Sequence, residues 1–570
     1  MPPDRRLVPR LATLVLAVVG GGVLSLAFPD VGWWPAAPVA VALLLVVLRR
    51  DHAGWNLLVG WVFSFVFFLI HLEFAQFAVG PVPWLLLSAA EALAVGLVSA
   101  VWTWLRRLGP VSGRPWLLVP IVATLWTGAE ELRAVWPFGG FPWGRLAFSQ
   151  ATSPIGHLAW LGGEPLVSWV TCAVGALLFL GATTILHPAG GLRRLRLRPT
   201  PSAAVGAGAS LLVVVALTLA GLLVPLDATA QSGELRVGAV QGNVTHPGVH
   251  AYAQAREVLD NHLAGTRALA ARTRDDPLDL VLWPENGTDI DPSVDARTWT
   301  EIDDVAQVVD APVLVGTVQA DGAGGRYNVG LLWQPGVGPI DSYTKVHPVP
   351  FAEYIPLRPL ARVFSSAVDL VRQDMRAGSR VGVLALPSSR LGRTVRVGDV
   401  ICFEVAIDPL VRATVAGGAE LLVVQTNNAS FGPTAESTQQ LAMTRLRAIE
   451  TGRSTVQVST VGVSAVVAPD GTVLDRSGLF VPAQLEATVP LRTGLTPAVR
   501  WGAWVAWALS VAAALLALGA VLSVLLPARG RGALGAPAAG ARRAGIGSQF
   551  GSAGARRDRS DDDAPASRGW

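Results

Sequence analysis

Seven apolar runs of near-spanning length crowd the first 226 residues, near 11–28, 33–48, 55–74, 82–105, 116–132, 157–186 and 205–226, and an eighth lies near 499–526. A bilayer core asks for about 20 apolar residues per helix. Backbone amides inside hydrocarbon must be satisfied within their own helix. Runs at this spacing therefore predict a multi-pass helical protein rather than a soluble globule. Composition agrees. Only 15% of the residues are charged, with a mean hydropathy of +0.46, where a soluble enzyme carries about a quarter. The first run follows an arginine-bearing leader, but no small-residue cleavage site follows it and six more runs do, so it reads as a signal anchor.

The connecting segments alternate in charge. Arginines occur at Arg5, Arg6 and Arg10, at Arg49 and Arg50, at Arg106, Arg107 and Arg114, and in RRLRLR at 193–198. The intervening loops, FPDVGWWP, FAVGPVP and AVWPFGGFPWGR, carry Asp30 and few arginines; Arg133 and Arg145 border the last. With seven spans, the positive-inside rule puts every arginine-rich loop in the cytoplasm and whatever follows residue 226 outside it. The eighth span returns the tail to the inside. The expected location is the cell membrane.

Residues 234–490 differ in kind. Charged residues return, and short apolar runs such as LRVGAVQGN, LDLVLWPEN, APVLVGTVQ, YNVGLLWQ, RVGDVICFE and AELLVVQTNN read as strands. Segments 257–273 and 437–453 read as amphipathic helices. Mixed strands and helices over about 250 residues predict one layered α/β domain. The segment 528–570, rich in Gly, Ala and Arg, reads as a disordered cytoplasmic tail. No basic stripe with interleaved aromatics appears in 234–490, which argues against nucleic acid. The two cysteines, Cys172 and Cys402, make neither a disulfide framework nor a zinc site.

Three strand ends each present one reactive group. Glu285 follows Trp283-Pro284 at the end of LVLWPEN, the edge where α/β folds place reacting groups. Lys345 ends the second strand of a hairpin and is the one lysine among 45 basic residues. A bias toward arginine accounts for the missing lysines but not for the one retained, and a compact ammonium differs from a guanidinium. Cys402 closes VGDVI on a strand-to-helix turn. Taken singly, each has a plainer reading: a solvated glutamate, a surviving lysine, a small buried thiol. Together they supply a base, a cation and a nucleophile. Cys172, inside WVTCAVGALLF, reads as core. Glu91 reads as a packing charge rather than part of an ion path.

WPE, then a lysine, then GD(x)2C(x)E resembles the nitrilase (carbon–nitrogen hydrolase) superfamily. With seven runs before the domain and one after, the chain resembles its membrane-embedded branch, the apolipoprotein N-acyltransferase family. The segments WPFGGFPWGRLAFSQ (136–150), AVQGNV (239–244), VPFAEYIPLR (349–358), QTNNASFG (425–432), RAIETGR (447–453) and TPAVRWG (496–502) add to the likeness. The resemblance implies a membrane domain over 1–226, an extracytoplasmic α-β-β-α sandwich over 234–490 and a final transmembrane helix at 499–526. It implies Glu285 as base, Lys345 as charge stabiliser and Cys402 as acylated nucleophile, with Glu353, Phe403 and Glu404 in support. It implies no cofactor and no metal. The expected partners are a phospholipid acyl donor, diacylated apolipoproteins and the bilayer, with the chain a monomer. The alternative is a membrane-tethered amidase or hydrolase using the same triad with water. The chain departs from the family at Phe403, where Tyr is frequent, in NNASFG, which replaces NDAWFG, and after QGN, where Tyr252 or His250 stands in place of a tryptophan. The aromatic loop 135–148 is expected near the membrane interface.

Overall fold

The computed structural model describes residues 9–185, 201–244, 256–322 and 324–526. Arg5, Arg6, the RRLRLR segment, His250, Tyr252 and the tail 528–570 lie outside the described residues.

Each apolar run is helical: Arg10–Ser25, Ala36–Val47, Ala53–His71, Pro81–Leu105, Leu118–Arg133, Ala159–Ile185, Pro201–Leu219 and Pro497–Leu525. Among the described residues, five helical segments are long and apolar enough to cross a membrane: Ala53–His71, Pro81–Leu105, Pro154–Ile185, Ala204–Leu223 and Pro497–Leu525. The first, second and fifth runs give helices of 16, 12 and 16 residues. At 1.5 Å per residue, 12 residues reach about 18 Å, short of a hydrocarbon core of about 30 Å. The fifth also ends on Glu130, Glu131 and Arg133. Glu91 pairs with Arg133 at 2.9 Å, tying two of these helices together. Cys172 is fully buried among apolar side chains.

Two six-stranded sheets follow. The first contains β1 (Glu234–Gln241), β2 (Leu280–Leu282), β3 (Val313–Ala320), β4 (Arg326–Gln334), β5 (Gly338–Thr344) and, at its far edge, β12 (Ala483–Pro490). Its order is β12-β1-β2-β3-β4-β5, with β1, β2 and β3 parallel and antiparallel strands on both sides. The second contains β6 (Val383–Ser388), β7 (Arg393–Ile401), β8 (Leu421–Thr426), β9 (Thr455–Ser459), β10 (Ala465–Val467) and β11 (Val473–Arg476), in the order β11-β10-β9-β8-β7-β6. Its centre, β7, β8 and β9, is again parallel.

The strand period of two sorts the side chains. Leu235, Val237, Ala239, Leu280 and Leu282 meet Val395, Val397, Ile401, Leu421 and Val423 between the sheets. Their neighbours Val240, Val281 and Trp283 face the helices Glu257–Arg272 and Ala296–Val309. The second sheet is covered by Asp408–Ala416 and Glu436–Thr451. The result is the expected α-β-β-α sandwich.

This last helical layer is continuous with the membrane helices. Val411, Met443, Leu446 and Ile449 share one buried cluster with Phe148, Val167 and Val170. A buried ionic chain crosses the same junction. Arg145 binds Glu131 at 2.9 Å and Glu164 at 3.1 Å; Arg447 binds Glu164 at 2.6 Å and Asp408 at 2.8 Å, and also pairs with Glu450. Loops of low arginine content add further ties. Asp30 accepts from Thr438 Oγ1 at 2.5 Å, Phe74 meets Phe431 edge-on at 5.3 Å, and Trp143 Nε1 donates to Gln439 at 2.7 Å.

Candidate active site

The site forms where parallel central strands of the two sheets end. After β2, Trp283-Pro284-Glu285 turns across Gly316 of β3, where a Cβ would stand 2.1 Å from Pro284 O and 2.9 Å from Glu285 Cα. Only a bare residue allows that crossing, and it delivers Glu285, itself buried, to the sheet edge. Lys345 follows β5, its amide donating to Asn328 O at 2.9 Å. Cys402 follows β7 with φ +56°, a conformation uncommon outside glycine, and opens a short 3-10 turn, Cys402–Ala406, that leads into the helix Asp408–Ala416. The half-buried thiol thus sits at a sharp strand-to-helix corner.

Lys345 is 1% exposed. Its Nζ lies 3.1 Å from Glu285 Oε1 and 2.9 Å from Glu353 Oε1. Burial alone would pull the ammonium down, but Glu285 and Glu353 outweigh it and hold Lys345 well above the ordinary lysine range. Burial pushes the Cys402 thiol up, the Glu285 charge adds to this, and Lys345 pulls against both. Both shifts favour a charged ammonium and a protonated thiol. Glu353 is fixed from its other oxygen, which accepts from Val349 N at 2.7 Å.

Glu404 works on the corner itself. It accepts from Ile401 N at 2.8 Å, Val346 N at 2.7 Å, His347 N at 2.9 Å and Tyr343 Oη at 3.0 Å. One carboxylate thereby joins the cysteine corner to the segment after Lys345. Phe403 is buried and stacks on Phe141 at 5.8 Å and Trp143 at 6.4 Å. Of the aromatic loop expected at the interface, Trp143 and Phe148 turn inward and are buried, while Trp136 and Phe138 are exposed. Phe138 meets Phe351 edge-on at 5.6 Å, and its carbonyl accepts from Tyr354 Oη.

Sequence reasoning passed over several residues here. Asn328, buried on β4, donates to Glu285 Oε1 at 2.6 Å and Glu353 Oε1 at 3.3 Å. Its signal was a polar residue immediately before the apolar run VGLLW of the strand. Gln440 Nε2 approaches Cys402 Sγ at 3.7 Å, while its oxygen accepts from Thr426 Oγ1 at 2.7 Å and Asn428 Nδ2 at 3.0 Å. Asn428 also donates to Glu436 Oε2 at 2.6 Å. Burial pushes the Glu436 carboxyl up to about 8, with Asn428 pulling against it and Glu285 adding to it. Nothing in the spacing of ESTQQ marks this chain of contacts, because it joins a helix to the strand end beside it. Among the described residues no cluster of His, Cys, Asp and Glu could hold a metal ion.

Residues 20–177 match the family model for the apolipoprotein N-acyltransferase N-terminal domain, and residues 236–493 match that for carbon-nitrogen hydrolases. The chain is similar to apolipoprotein N-acyltransferases from Mycolicibacterium smegmatis (37% identical, over 90% of this chain and 86% of the relative), Azotobacter vinelandii (31%, 86% and 92%) and Gloeobacter violaceus (33%, 88% and 93%).

Proposed function

This chain belongs to the apolipoprotein N-acyltransferase family, and from that premise we propose that Cys402, Glu285 and Lys345 carry its acyl transfer. As an acyltransferase of this family it takes lipoproteins as substrate. The observation that carries the residue assignment is the buried Lys345 ammonium, bonded to Glu285 and Glu353.

Glu285 takes the thiol proton as Cys402 Sγ attacks an ester carbonyl of a membrane phospholipid. The negative charge developing on the carbonyl oxygen is met by Lys345, whose ammonium is already in place and excluded from water. The tetrahedral intermediate collapses, the carbon–oxygen bond breaks, and Glu285 returns the proton to the departing lysophospholipid. An acyl thioester remains on Cys402. The α-amine of a diacylglyceryl-cysteine then attacks the thioester and gives its proton to Glu285. Collapse forms the amide and returns the proton to the sulfur. Asn328 and Glu353 hold Glu285 and Lys345 in register throughout.

We divide the chain into a membrane part, 1–226, a catalytic part, 234–490, a closing helix, 499–526, and the tail, and read it as a monomer. The catalytic part is assigned to the side opposite the arginine-rich loops. In support, the arginine-poor loops meet it through Asp30 and Trp143, whereas Arg107 pairs with Asp51 on the neighbouring arginine-rich loop.

The test is intact-mass analysis after incubating the full-length protein with phospholipid. An acyl adduct on Cys402 that disappears on addition of a diacylated lipopeptide, with the acyl mass appearing on the peptide amine, is the expected result. An adduct that discharges equally fast to water makes the protein a hydrolase. No adduct on active protein removes the thioester.

A further inference from the structure

We propose that a pocket beside the Glu353 loop, lined by arginines, receives the headgroup phosphate of the donor phospholipid and favours headgroups of net negative charge. This rests on the acyl-donor reading above and adds to it the class of donor.

The pocket has a volume of about 640 Å³ and is lined by Arg358, Arg362, Arg372 and Arg376 against two carboxylates, Asp369 and Asp374. Arg358 and Arg362 stand one turn apart on the short helix Arg358–Phe364 and so share a face. Arg358 is committed to the fold: it pairs with Asp374 and donates to Val368 O at 3.0 Å and Val371 O at 2.8 Å. Arg362 pairs with Asp369, and Arg376 Nε lies 2.6 Å from Asp321. Arg372 is exposed and has no partner among the described residues. With Asp321 counted, four arginines face three carboxylates, which leaves an excess of one positive charge, the uncommitted guanidinium of Arg372. A guanidinium fork matches phosphate oxygens in geometry as well as in charge.

What surrounds the pocket identifies a lipid as the source of that phosphate. Leu360, Val363, Phe364 and Leu370 are exposed on the same short lobe, Val363 at 79%. Guanidiniums lining a pocket within an exposed apolar rim is the arrangement of a surface seated among headgroups, where acyl chains meet the apolar side chains and phosphates meet the cations. A free anion would have no use for the rim.

The pocket is also stitched to the reacting groups. Met375 N donates to Glu353 O at 2.8 Å, and Gly378 N donates to Lys345 O at 2.8 Å. In a glycerophospholipid the phosphate and the ester carbonyls are only a few bonds apart. A phosphate held on this segment keeps the ester close to the arm that carries Lys345 and Glu353.

The experiment compares phosphatidylglycerol with phosphatidylethanolamine of the same acyl chains. The full-length protein and the Arg362→Gln, Arg372→Gln double variant are assayed in mixed micelles with a diacylated lipopeptide as acceptor. The parent is expected to show a lower KM for phosphatidylglycerol, with each arginine contributing about fivefold, and the double variant to lose that difference. In parallel, the Cys402→Ala protein, with and without the two arginine changes, is scored by native mass spectrometry for retained phosphatidylglycerol against phosphatidylethanolamine. Selective retention that disappears with the arginines upholds the pocket even if no transfer occurs, and transfer failure would then fall on the donor reading alone. Equal KM and equal retention for both lipids, or a preference that survives the double change, overturns the pocket while leaving acyl transfer standing. Competition by inorganic phosphate as effective as that by the lipid headgroup likewise overturns the lipid assignment.

Discussion

Lys345 and Glu353 are eight residues apart in the chain and 2.9 Å apart in space, on a loop that folds back to place a second carboxylate against an ammonium already bonded to Glu285. The ammonium is buried and shared between the two carboxylates. Lys345→Arg keeps the charge but asks for a planar fork where one compact nitrogen serves two carboxylates. Acyl transfer by this variant is expected to fall by about 10²-fold or more, as for loss of a preorganised charge stabiliser, with the thermal unfolding midpoint holding near the parent's. Full activity in the lipopeptide assay would mean that the position needs only positive charge.

Glu404 touches no reacting atom in the proposed steps but gathers four donors around the cysteine corner. Glu404→Gln replaces one acceptor oxygen by a donor that faces other donors. The expected effect is a fall in kcat of about 10-fold or more with the KM for phospholipid little changed, together with an altered rate of Cys402 alkylation. A KM effect alone would contradict a positioning role.

Arg447 is fully buried and binds Glu164, Asp408 and Glu450 at the junction of the sheet domain with the membrane helices. Arg447→Met leaves buried carboxylates without their cation, which costs about 3–5 kcal/mol. A clear drop in the unfolding midpoint in detergent is expected; an unchanged midpoint would show that the ionic chain is replaceable by apolar packing.

Glu436 gives a pH signature. Its carboxyl titrates near 4.5 when unfolded and at about 8 when folded, so the folded state binds the extra proton between those values. Stability from this group is complete below pH about 4.5, declines as pH rises, and stops changing above about 8. Glu436→Gln is expected to remove that slope and to raise stability near pH 8 by on the order of a few kcal/mol. Parallel midpoint-against-pH curves for parent and variant would sink the assignment.

How much of this was legible beforehand follows from the range of the forces involved. Glu285 and Cys402 were readable because each stands at the end of an apolar run, and Lys345 because it is the one lysine of the chain and closes a hairpin; strand ends are local features. A layered α/β domain was readable from the strand runs and amphipathic helices, and the resemblance added the two-sheet sandwich; which face of LRVGAV and LVLW meets the other sheet and which meets the helices came from the structure. Three apolar runs gave shorter helices than spanning requires, since hydropathy alone does not say where a proline or a charged turn will close a helix. Of the aromatic loop expected at the interface, Trp136 and Phe138 are exposed, whereas Trp143 turned inward to Phe403 and Gln439.

Local pattern in the chain was enough to determine the apolar helices, a layered α/β domain and three candidate strand ends, because helix and strand periods and turn residues act over a few positions. Only the tertiary structure decided that Asn328 bridges Glu285 and Glu353, that Gln440 reaches the sulfur, and that Arg145 and Arg447 meet across Glu164. Those are pairings of polar groups between elements far apart in sequence. Buried polar groups are driven to find partners wherever packing brings one within reach, and the packing is a property of the whole fold.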